Sequence, residues 1–178
     1  MGKMGIFGQV ANHFGVVETN GRGMLHLHAL VWLTRNLDFD SLRCRLLQDK
    51  DFANRMIHYL ESIIVESINI DSDTNPLETP PSSRSENSDH SFHLRLLADG
   101  NSVASKKQMH SKNHNATCFK YRQKGLRKNA CRFGMPQDLR PHTEINELGV
   151  IHLARNNSWV NPWNPAIAIC IRSNHDIS

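Results

Sequence analysis

The sequence predicts an α+β fold: an antiparallel sheet carrying a His-x-His strand, a helix packed on one face of it, and a disordered insertion. Three observations lead there. Two β-rich runs flank Gly21-Arg22-Gly23, residues 40–70 carry apolar side chains at helical spacing, and residues 71–91 are polar, acidic and proline-bearing.

Phe14-Gly15-Val16-Val17-Glu18-Thr19 suits a strand, and the glycine pair reads as a tight hairpin connection. In the returning strand side chains alternate between faces. His26, His28, Leu30 and Trp32 share one face, and Leu25, Leu27, Ala29 and Val31 share the other. The second face is continuously apolar, which predicts a well-packed strand that holds its histidines rigidly. Two imidazoles about 7 Å apart along a strand can converge on one metal ion. In simple register Glu18 stands opposite His26, making a cluster of Glu18, His26 and His28; a bulge in the glycine turn would reverse that parity. The alternative is a pair of ordinary histidines in a chain that has 11 of them.

Residues 40–70 read as helical, in one or two pieces. Phe52, Met56, Leu60, Ile63, Ile64 and Ile68 form an apolar stripe expected to pack on the sheet. Tyr59 lies within it, as a packing residue or a nucleophile. Residues 71–105 are expected to be a disordered insertion between residues 1–70 and 106–178, because the polar stretch cannot bury enough apolar surface to offset its ordering entropy. A hydrophobic share of 39% agrees with a partly unpacked chain. Near the end, Ala166 to Ile171 reads as a last strand.

Residues 106–140 are strongly basic, with Asp138 as the single acid and Phe119, Tyr121 and Phe133 interleaved. Cations for phosphates and rings for bases suit nucleic acid; a solvated basic loop is the alternative. The residues expected to contact DNA are Lys112, Lys120, Tyr121, Arg122, Lys124, Arg127, Lys128 and Arg132. His110, His114, Cys118 and Cys131 fall in the same stretch, as H-x3-H-x3-C-x12-C. Mixed Cys/His ligands at short spacing suit tetrahedral zinc, which could fold a segment too polar to fold alone; unpaired loop cysteines are the alternative. A net charge of +4 weakly favours polyanionic partners. The N-terminus lacks the apolar core of a signal peptide, and no apolar run is long enough to span a membrane. The four cysteines therefore read as reduced thiols or metal ligands.

Several motifs together resemble the helicase-like N-terminal region of Helitron transposases. They are Phe7-Gly8-x4-His13-Phe14-Gly15-Val16-Val17-Glu18-x2-Gly21-Arg22-Gly23-x2-His26-Leu27-His28, His114-x3-Cys118-Phe119-Lys120-Tyr121, Cys131-Arg132-Phe133-Gly134-Met135-Pro136, Trp159-Val160-Asn161-x2-Asn164-Pro165 and Asn174-His175-Asp176-Ile177. The resemblance implies a Rep-type HUH endonuclease that nicks and transfers single-stranded DNA in rolling-circle transposition. It implies His26 and His28 as ligands of a divalent metal (Mg or Mn), with Glu18 alongside, and a tyrosine that forms a covalent phosphotyrosine. The family's tyrosine pair lies downstream of the Asn-His-Asp-Ile segment, where this sequence stops; Tyr59 and Tyr121 do not match it. No catalytic residue is therefore assigned. A fragment inactive on its own is expected, its helicase portion belonging to the full-length transposase and its location, by the family, nuclear. The alternative is a zinc-stabilised nucleic-acid-binding module without catalysis.

Overall fold

A computed structural model describes residues 5–19, 25–69, 90–120 and 130–177, without the side chains of Leu25, His26, His90, Ser91 and His93. The Gly21-Arg22-Gly23 turn and residues 71–89 of the expected insertion lie outside the described residues.

The first element is a hairpin of β1 (Val10–Thr19) and β2 (Leu25–Leu33), paired antiparallel from Val10↔Leu33 to Thr19↔Leu25. The register shifts between Val10 and Asn12, far from the turn, so Glu18 stands opposite His26 and Val16 opposite His28. The expected close packing does not occur. Val17 and Leu27 are 62% and 65% exposed on one face, and Phe14 and Leu30 are 57% and 60% exposed on the other. A two-stranded ribbon has no neighbouring strand to widen it, and the helices pack instead on one another.

α1 (Phe39–Gln48) starts at Asp38, whose carboxylate accepts a hydrogen bond from the Ser41 amide at 2.9 Å. Asp49 then does two jobs. Its amide donates to the Arg45 carbonyl and closes α1, while its carboxylate accepts from the Phe52 amide at 2.9 Å and opens α2 (Lys50–Ile63). One residue thus divides the 40–70 segment in two. Bonding to Ser41 holds the Asp38 carboxyl below its ordinary pKa, and bonding to the Phe52 amide does the same for Asp49. The apolar stripe stays helical only to Ile63; Ile68 lies beyond the helix, 4% exposed, in the core.

The second half of the expected insertion is instead a helix, α3 (His90–Lys107). Phe92, Leu96, Gly100 and Val103 recur at helical spacing, a signal masked by the polar run before them. Val103 and Ala104 are 1% and 0% exposed. The expected last strand is also a helix, α4 (Pro165–Ile171). Asn164 caps it by accepting from the Ile167 amide at 2.9 Å, and Pro165 supplies a preset first turn. α3 and α4 approach closely at Gly100, where a Cβ would sit 3.1 Å from Ile169 Cγ1. Arg172, in the left-handed region at φ 57°, holds the buried Asp99 carboxylate with bonds of 2.6 and 3.1 Å.

The main core is built from Ile68, Val103, Ala104, Val160, Trp163 and Ala168, with Val65 and Met109 packed against it. It joins stretches that the expected division at 70 and 105 keeps apart. Bridges Val65↔Trp163 and Met109↔Val160 tie them together through the backbone. A second small ribbon, β3 (Glu144–Ile145) with β4 (Ile151–His152), completes the fold. Glu66 accepts from Arg140 at 3.0 Å and from the buried Arg155 at 2.7 Å. Burial lowers the Arg155 pKa, and the Glu66 charge opposes that. Among the described residues the architecture is therefore mixed α and β with two small antiparallel ribbons, rather than one sheet under a helix.

Candidate metal centre

Three short backbone devices bring His110, His114, Cys118 and Cys131 together. The His110 amide donates to the Trp159 carbonyl at 2.7 Å, next to the Met109↔Val160 bridge, which anchors that histidine to the core. Cys118 sits in a 3-10 turn, Ala116–Phe119, capped by Asn115, whose side chain accepts from the Thr117 amide at 2.9 Å. Cys131 is held at the same depth because the Arg132 amide donates to the Cys118 carbonyl at 2.8 Å. The two thiols are 3% and 6% exposed.

The side-chain geometry is convergent. His110 Nδ1 lies 2.8 Å from the Ser111 carbonyl, an acceptor, so that nitrogen carries the proton and Nε2 presents its lone pair. Nε2 is 3.5 Å from Cys118 Sγ and 3.6 Å from Cys131 Sγ. Cys118 Sγ also lies 3.6 Å from Asn115 Oδ1, which can accept from that thiol. His114 Nδ1 is buried without a hydrogen-bond partner, an omission that costs about 1–3 kcal/mol when nothing fills it. The four ligand atoms all lie within 4.8 Å of one another, and the group could hold a metal ion. A cation among them would use the orphaned Nδ1, the open Nε2 and both sulfurs at once.

Aromatic side chains fix the histidine rings. Trp159 stands 6.2 Å from His110 and 5.8 Å from His114, Phe119 stands 5.7 Å from His114, and Phe133 meets His110 edge-on at 5.7 Å. Cys118, Cys131 and Met135 form a small apolar cluster with Phe119 and Trp159. The sequence reading missed Trp159 as part of this centre. Its distance along the chain hid it, although Trp159-Val160-Asn161-x2-Asn164-Pro165 stood out as a motif.

The hairpin site is assembled only in part. Glu18 Oε2 lies 3.6 Å from His28 Nε2, with both side chains 63% exposed. The His26 side chain lies outside the described residues, although its backbone stands opposite Glu18. Tyr59 donates its hydroxyl to the Phe7 carbonyl at 2.9 Å, and burial raises its pKa, so the phenol is engaged and hard to ionise. Of the expected DNA contacts, Lys112, Lys120 and Arg132 are exposed. Tyr121, Arg122, Lys124, Arg127 and Lys128 lie outside the described residues. Cys44 and Cys170 are exposed free thiols away from the cluster. No helix among the described residues is long and apolar enough to cross a membrane. Comparison with protein-family models, with curated proteins and with solved structures gave no match.

Proposed function

We propose that this chain is a zinc-stabilised domain that binds single-stranded DNA, related to the Rep-type region of Helitron transposases. The observation that carries the reading is the convergence of His110, His114, Cys118 and Cys131. Zinc bonds of about 2.3 Å to sulfur and 2.0–2.1 Å to nitrogen, at tetrahedral angles, place N and S about 3.5 Å apart. The two His110–thiol separations are 3.5 and 3.6 Å. The ion would close the ends of the stretch from Phe119 to Ala130, which carries Lys120, Arg122, Lys124, Arg127 and Lys128 and no acid. A run of cations with no acid in its sequence suits a phosphate backbone.

The test combines metal analysis with binding to a fluorescein-labelled oligo(dT). One zinc per chain is expected, with affinity falling steeply as salt rises and falling again on chelation or in Cys118→Ser. A protein without stoichiometric zinc, whose circular dichroism is unchanged by EDTA, overturns the zinc reading. A flat salt response removes the basic stretch as the binding surface.

A second reading is metal-dependent nicking at the hairpin. It is favoured by the register that sets Glu18 opposite His26 and within 3.6 Å of His28. In the resembling family a magnesium or manganese ion there polarises the scissile phosphate. The engaged Tyr59 phenol is a poor nucleophile, so no covalent adduct through Tyr59 is expected with manganese and labelled single-stranded DNA. An adduct that disappears in Tyr59→Phe or Tyr121→Phe would replace the binding-module reading with an intact nuclease.

A further inference from the structure

Phe133 is next to the metal centre yet does not join its apolar cluster. The ring is 47% exposed, although Phe119 and Trp159 beside it are packed inward. Its orientation is nevertheless fixed. The ring meets the His110 imidazole edge-on at 5.7 Å, and the Gly134 amide donates to the Cys131 carbonyl at 2.9 Å, closing a tight turn around it. Gly134 takes φ 68°, a left-handed conformation that glycine adopts without strain. The Arg132 guanidinium lies over the ring, 4.4 Å from its centroid.

We infer that Phe133 and Arg132 form a stacking platform for an unpaired base of single-stranded DNA, beside the zinc ligands His110 and Cys131. The inference rests on the DNA-binding reading above and adds the residue that would take the base. A rigid, solvent-facing aromatic offers a π-face that any base can cover, and the arginine seated over the ring's other face keeps a charge for the adjoining phosphate. Charge complementarity favours a polyanion here. From Gly100 to Gln137 the chain carries no acidic residue, and Lys112 and Lys120 are exposed close in sequence to the ligands. A ring serving only to cover the metal centre would pack inward, as Phe119 does.

The experiment uses the full zinc-loaded chain and measures fluorescence anisotropy against salt. The probes are a labelled oligo(dT), an abasic oligomer of equal length, and an oligo(U). Phe133→Leu keeps an apolar contact with His110 but removes the aromatic face. It is expected to weaken oligo(dT) binding by roughly tenfold or more while leaving the slope of log K against log salt unchanged. The abasic oligomer is expected to bind wild type and Phe133→Leu equally. Lys120→Ala should behave oppositely, lowering the slope by about one. Visible absorption of the cobalt-substituted protein reports whether the ligand set survives each substitution. If Phe133→Leu disturbs it, Phe133→Trp replaces it in the test, and retained oligo(dT) affinity is expected. Equal oligo(dT) binding by wild type and Phe133→Leu overturns the platform while leaving the DNA reading standing. So does loss of binding in Phe133→Trp with an intact cobalt spectrum. Tighter binding of oligo(U) than of oligo(dT) overturns DNA as the occupant. No measurable binding of oligo(dT) by wild type fails the DNA reading itself, and the platform with it.

Discussion

The two histidine sites of this chain use similar side chains in opposite physical settings. At the hairpin, Glu18 and His28 stand on a two-stranded ribbon that is exposed on both faces. At the metal centre, the thiols are buried, one imidazole is oriented by a carbonyl, and aromatic rings back both histidines. Burial removes water as an alternative partner, so an unpaired nitrogen there is costly, whereas at the hairpin solvent fills the same need without cost. The difference teaches that ligand spacing alone does not make a site. The surrounding packing decides whether the ligands wait in position or must be gathered by the ion.

The sharpest way to break that contrast is to remove metal. If the centre holds zinc as proposed, free zinc a thousandfold above its dissociation constant would stabilise the folded chain by about 4 kcal/mol. Urea unfolding with and without EDTA, and in Cys118→Ser, should show a loss of that order. His28→Ala at the hairpin should change stability by less than about 0.5 kcal/mol. Equal responses at the two sites would erase the distinction.

A smaller effect sharpens the hairpin's side of the comparison. The Tyr59 hydroxyl bonded to Phe7 joins α2 to the turn preceding β1. Tyr59→Phe should cost about 1 kcal/mol in global unfolding and speed protease cleavage in residues 5–33. Unchanged cleavage would mean that the hairpin is held by other means.

The two capping carboxylates give the smallest expected change and lie outside both sites. The Asp38 and Asp49 carboxyls have folded pKa values below their unfolded ones. Their stabilisation is therefore full above the ordinary carboxylate range and is lost as pH falls through the lowered values. Asp49→Asn, still able to cap α2, should flatten the acid limb of the stability curve slightly. A wild-type limb in the variant would remove Asp49 from the account.

Local signals were readable where a residue acts on its own neighbours. The hairpin and its parity followed from alternation and the glycine turn, and the four metal-centre residues from spacing. Two elements were misread for distinct reasons. The run Ala166 to Ile171 looks β-like by composition, but Asn164 and Pro165 ahead of it are a helix start, and capping outweighed propensity. α3 was hidden because a polar composition was extended past the point where helical spacing resumes at Phe92. The hairpin's exposure could not be read, because alternation states which residues share a face and not whether anything covers it. Trp159 shows the same limit: its place against His110 and His114 depends on contacts between distant parts of the chain.

Those distant contacts carry a consequence for synthesis. Asn164 Nδ2 donates to the Ile63 carbonyl, Asn156 pairs with both backbone groups of Ile68, and Val65 bridges Trp163. These pairings of the Ile63 to Ile68 stretch therefore form only after residues 156–164 have left the ribosome. Such long-range pairing predicts a slow collapse that waits for residues 156–164, during which Ile63 and Ile68 are more open to chaperones and to other nascent chains.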